Sequence, residues 1–185
     1  MNQSAATPST SFHTRDLVLT GIFAALIAVC SWISIPTAVP FTLQTFGVFM
    51  AVEMLGGKRG TLAVLVYLLL GAVGLPVFAG FTGGMGIITG STGGYIVGFL
   101  FGALVMWMME TVLPKGTVTS ILAMLAGLLV CYALGTVWFM LVFTRNNGPV
   151  SLMTVLGWCV LPFIIPDLIK IALAWLLSRR LRKYV

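Results

Sequence analysis

Charge is what this chain has least of. Of 185 residues only 8% are Asp, Glu, Lys or Arg, and four of these are acidic. A soluble domain needs more ionic surface than that, and a disordered chain more still. Histidine occurs once, at His13, in a polar stretch where it has no partner for catalysis or metal binding. The three cysteines, Cys30, Cys131 and Cys159, sit in apolar segments without the spacing of a disulfide framework or a metal site. They read as small buried hydrophobes. No Gly-Lys-Ser/Thr follows the glycine-rich stretch to make a phosphate loop, and no Gly-x-Ser-x-Gly elbow surrounds Ser91. Nucleic acid is an equally poor partner despite the net charge of +6, because the basic residues gather at the ends of apolar runs. What the chain does have is hydrophobicity, 59% of residues with a mean hydropathy of +1.11. That composition belongs to an integral membrane protein.

Residues 1–16 are rich in Ser and Thr and read as a disordered cytoplasmic tail. Six apolar segments follow, at about 17–35, 45–55, 61–75, 93–113, 118–143 and 155–179. They predict an all-α membrane domain of six helices over residues 17–185. The first is too long for a signal-peptide core and lacks a small-residue cleavage site, so it is expected to stay in the mature protein. It carries Gly21-x-x-x-Ala25 and Ala24-x-x-x-Ala28, small faces that admit a neighbouring helix within the chain or on a partner subunit. The second segment is short for a full span, which places part of Phe41–Gln44 at membrane depth. Glu53 at its end is expected to be an interfacial carboxylate near Lys58 and Arg59. Gly127 and Gly135 are spaced for close packing, and Thr144–Pro149 reads as a turn.

The basic residues orient these spans. With both termini in the cytoplasm, Arg15, Lys58, Arg59, Lys115, Arg179, Arg180, Arg182 and Lys183 fall inside. Arg145 alone falls outside, and Lys170 lies within the membrane. Such asymmetry is the positive-inside signal. It brings the Pro36–Gln44 loop, the glycine loop and the Asp167 end of the last segment to the outer side together.

Pro166-Asp-Leu-Ile-Lys170 stands out inside that last segment. Asp167 and Lys170 are three residues apart and share a helix face. A lone charge at mid-membrane costs roughly 2.5–3.5 kcal/mol, so such groups face protein or water. They are either a self-neutralising pair that orients the helix or a site for a small polar molecule. Pro162 and Pro166 each remove a backbone N–H, predicting a kink or break beside the charges. Gly74 and then the glycines from Gly80 to Gly94 form a charge-free loop, either a connector or a place where backbone approaches a ligand. Phe78, Phe81 and Tyr95 offer apolar walls to it.

These stretches resemble the BioY family, the biotin-specific S components of energy-coupling-factor (ECF) vitamin transporters. The resemblance rests on Pro40–Gln44, Gly56–Gly60, Gly74–Gly80, Gly90–Tyr95 and Pro166–Lys170, which are specific together. It implies the six-helix S-component fold in the bacterial cytoplasmic membrane. It also implies biotin as substrate, and as partners a transmembrane T component and ABC-type ATPase subunits that use the ATP. No cofactor or metal is implied for the chain itself. Asp167 is expected to bond the ureido end of biotin, with Lys170 helping at the polar site. The glycine loop adds Gly83, Gly84, Gly93 and Gly94 as candidate substrate contacts, with Thr82 and Tyr95, and the proline loop adds Phe41 and Gln44. Gly21, Ala24, Ala25 and Ala28 are the candidate docking face for the T component. The sequence departs from some family members at Ile96, where they carry a basic residue, and at Thr82, where an amide can occur.

Two other classes compete. An intramembrane enzyme using Asp167 and Lys170 as acid and base lacks a nucleophile motif or a second intramembrane carboxylate. A stand-alone oligomeric biotin facilitator without ATPase partners would use the same site.

Overall fold

The computed structural model describes residues 14–37 and 39–184. His13 and most of the expected tail lie outside the described residues, while Thr14–Asp16 already belong to a helix. In order the elements are α1 (Thr14–Trp32), β1 (Ser34–Ile35), β2 (Phe41–Thr42), α2 (Gln44–Leu55) and α3 (Gly57–Ala72). A single 3-10 turn (Ala79–Phe81) precedes α4 (Met85–Thr89), α5 (Gly93–Val112), α6 (Thr117–Asn147), α7 (Leu152–Cys159) and α8 (Leu161–Leu181). The two strands form a minimal antiparallel hairpin with Ser34 opposite Thr42. Four helices, α1, α5, α6 and α8, are long and apolar enough to cross a membrane.

The bundle is organised around α2. Its sequence is apolar on every side, and every residue except Phe46 is buried, as expected of a helix at the centre of a packed core. Twelve residues rise only about 18 Å, short of a bilayer, so α2 works as a core post among longer neighbours. Helices α1, α3, α5 and α8 pack on it. Gly60 brings α3 so close that a Cβ there would meet Ala51 O at 2.8 Å. On the other side α5 and α6 form a long tight hairpin, where a Cβ on Gly102 would lie 2.8 Å from Gly127 O. Gly135 lies directly beneath the ring of Tyr95. Midway along α2, α5 and α8, and in the first third of α6, the buried Phe49, Ala103, Met124, Ile171 and Ala174 belong to one apolar cluster.

Several expectations need correction. Ala24 and Ala28 are buried in that cluster, at 1% and 5% exposure, so they hold α1 inside the bundle and are closed to a partner. Gly21 and Ala25, alongside them on α1, are exposed. Glu53 is buried and pairs with Arg182, the residue just after α8, at 3.6 Å, while Arg59 pairs with Asp16 at 3.2 Å. Chain folding thus gives Glu53 a partner 129 residues away in sequence. The expected turn at Thr144 begins instead at Gly148, whose φ of 94° ends α6, with Arg145 in its last turn. The single last helix is two. The break falls at Val160 (φ −125°, ψ −56°), because Pro162 starts a helix well but cannot continue one. Helix α8 then runs through Pro166, whose missing N–H would have pointed to the carbonyl of Pro162 one turn back.

Candidate ligand-binding cavity

Asp167 and Lys170 lie in the first half of α8, at 2% and 4% exposure. One helical turn brings Lys170 Nζ to 2.7 Å from Asp167 Oδ1. The same ammonium donates to the carbonyl of Thr42 in β2 at 2.6 Å and lies 4.6 Å from the ring centroid of Phe41. Tyr132, in the middle of α6, donates its hydroxyl to Asp167 Oδ2 at 2.5 Å. The pair is therefore held from three sides, by its own helix, by the strand hairpin and by α6.

Hydrogen-bonding capacity is left over. An ammonium has three donors and a carboxylate about four acceptor sites. Protein groups use two of each here. The remainder face a cavity of about 270 Å³ that both residues line. Its polar lining includes Gln44, Thr45, Thr82 and Thr92, and its apolar lining includes Phe78, Phe99, Phe163 and Tyr132. Gln44 Nε2 donates to the buried hydroxyl of Tyr67 at 2.8 Å, which leaves its carbonyl oxygen without a protein partner among the described residues. A small apolar chamber with a few convergent polar groups is the usual form of a small-molecule site.

Of the candidate substrate contacts, Asp167, Lys170, Tyr95, Gln44 and Thr82 all line this cavity. Phe41 lies one layer out, beneath the Lys170 ammonium and stacked on Phe163 at 5.7 Å. The four glycines are a correction, since none of them lines the cavity. Gly83 packs on the carbonyl of Leu75, Gly93 on that of Ile88 and Gly94 on Trp138 of α6, so three of them serve chain-to-chain approach. Gly84 takes a φ of +98°, a turn conformation that suits glycine. Phe81 is no wall either: it is exposed and stacks on Trp32 at 5.0 Å.

Sequence reasoning missed Tyr132, and also Cys131 and Cys159, which are buried as expected yet line the chamber. A tyrosine midway along an apolar helix is a usable signal, because its hydroxyl needs a buried partner. Asp167 is that partner.

Apolar helices enclosing a chamber with one ion pair define a multi-span membrane protein with an internal small-molecule site. The description "BioY family" matches residues 1–185, and the chain belongs to that family. It is 46% identical over 171 residues to "Biotin transporter BioY" of Thermotoga maritima, covering 91% of this chain and 96% of that one. It is 39% identical over 180 residues to the protein of the same name from Rhodobacter capsulatus, covering 92% and 94%. Among solved structures, it superposes with a TM-score of 0.79 and 29% identity on the S-component for biotin from an ECF-type ABC transporter. That match covers 94% of this chain and 95% of the other.

Proposed function

We propose that the chain is the biotin-capturing S subunit of an ECF-type vitamin transporter. The observation that carries this reading is the Asp167–Lys170–Tyr132 cluster opening into a small, aromatic-walled chamber. Biotin carries ureido N–H donors, a ureido carbonyl, an apolar bicycle with a thioether, and an anionic tail. Asp167 accepts from the ureido N–H groups, and the free N–H of Lys170 meets either the ureido oxygen or the carboxylate. Phe78, Phe99 and Phe163 cover the bicycle.

Transport needs energy, and the membrane-spanning T component and ATPase subunits supply it. The chain itself captures substrate and performs no chemistry on it. Six helices cross the bacterial cytoplasmic membrane in this reading, α2 and α3 together with the four long ones. The cation-rich helix ends and both termini are cytoplasmic, supported by the distribution of basic residues in the sequence. The exposed Gly21 and Ala25 of α1 are the small-residue face left for the T component.

Calorimetric titration of the purified chain with biotin tests the site. Asp167→Asn should weaken binding by roughly 1.5–3 kcal/mol, the scale of a hydrogen bond to a charged group. Lys170→Ala should weaken biotin more than an uncharged biotin amide if the ammonium meets the carboxylate. Equal losses assign Lys170 to the ureido end, and unchanged affinity in both variants removes the site.

A further inference from the structure

A second cleft, of about 560 Å³, opens between α2, α5, α6 and α8 at the opposite end of those helices from the ion pair. Its charged lining consists of Glu53, Glu110, Lys115, Arg179 and Arg182. Both carboxylates are already engaged. Glu110 accepts from the backbone N–H of Gly57, and Glu53 pairs with Arg182. Lys115 and Arg179 have no carboxylate within ion-pair distance among the described residues. Arg179 rests instead on the ring of Trp175, 5.1 Å from its centroid. The cleft thus carries three cations against two carboxylates, a net charge of +1, and among the described residues Lys115 and Arg179 are in no ion pair.

The start of α6 adds to this field. Thr117 and Ser120 line the cleft, and the cap residue Gly116 offers no side chain to the first N–H groups of this 31-residue helix. Those N–H groups carry the positive end of the helix dipole. An anion with several acceptor oxygens suits such a lining. The wall is also partly apolar, through Trp175, Leu113 and Met106, so an amphiphile suits it better than a bare ion. The cleft lies at the ends of the apolar spans, where lipid headgroups are concentrated and basic pockets between helices take anionic ones.

We propose that this cleft binds the phosphodiester headgroup of an anionic phospholipid, held by Lys115 and Arg179. The site is separate from the ligand chamber, and its occupancy does not depend on what that chamber binds.

The test uses native mass spectrometry of the delipidated full chain in neutral detergent, with dioleoylphosphatidylglycerol and dioleoylphosphatidylcholine as probes. One phosphatidylglycerol should bind in preference to phosphatidylcholine, and Lys115→Gln with Arg179→Gln should abolish the preference. Ligand binding in the chamber reports that the double variant is folded. On the unmodified chain, added salt should weaken phosphatidylglycerol retention, which keeps the proposal testable should the variant not fold. Equal binding of the two lipids, an unchanged preference in the double variant, or salt-insensitive retention would each overturn it. Displacement of the lipid by inorganic phosphate, with the same stabilisation as the lipid gives, would reassign the cleft to a free anion.

Discussion

Tyr132 does at the scale of one residue what the sequence motif alone could not. Asp167 and Lys170 were legible from their spacing, because unlike charges inside an apolar segment need each other. Their geometry was not legible, because it depends on Thr42 and Tyr132, which lie 128 and 35 residues away from the groups they bond. The Tyr132 hydroxyl fixes one carboxylate oxygen while Lys170 fixes the other, so the lone pairs left for a ligand point in set directions. Tyr132→Phe should therefore raise the biotin dissociation constant about tenfold, the lower part of the range for a hydrogen bond to a charged group. The change should be smaller than that of Asp167→Asn, because the Asp167 charge remains. Unaltered affinity in a titration would show that Lys170 alone orients the carboxylate.

At the scale of elements, a sequence marks where an apolar helix runs more plainly than what the helix does. Residues 45–55 and 93–113 were placed within a residue or so of α2 and α5, since long apolar runs bounded by glycine and proline leave little choice. The break at Val160 was displaced because two prolines a turn apart gave two candidates, and only the one able to start a helix interrupts it. The glycine loop is ambiguous for a deeper reason. A glycine near a ligand and a glycine near another helix look identical in sequence, and Gly83, Gly93 and Gly94 are of the second kind. The small residues of α1 pose the same ambiguity, which their burial divides. Ala24→Trp must be forced into a site of 1% exposure, so expression and biotin binding should fall together. Ala25→Trp, on the exposed face, should leave binding intact while abolishing co-purification with a T component. Loss of biotin binding in a folded Ala25→Trp protein would count against the docking face.

At the scale of the whole molecule, charge sorts the two ends. The ion pairs Asp16–Arg59 and Glu53–Arg182 tie α1 to α3 and α2 to α8 at one end, and the chamber occupies the other. This segregation was legible because basic residues mark helix ends, and it makes a sidedness prediction. In a cysteine-free background, cysteines at Thr82 and Asn147 should react with an impermeant thiol reagent added outside intact cells, and one at Lys183 should not. Labelling at Lys183 from outside would invert or break the six-span arrangement. The apolar layer of Phe49, Ala103, Met124, Ile171 and Ala174 lies between the chamber and the charged end, on the same four helices that line both. That layer gives the chamber a floor. The protein is thus a cup and not a pipe, and a molecule in it leaves by the rim it entered unless the helices part. For the transport role proposed above, cargo then crosses only if the rim turns or the floor opens, and the energy supplied has to drive one of those two rearrangements.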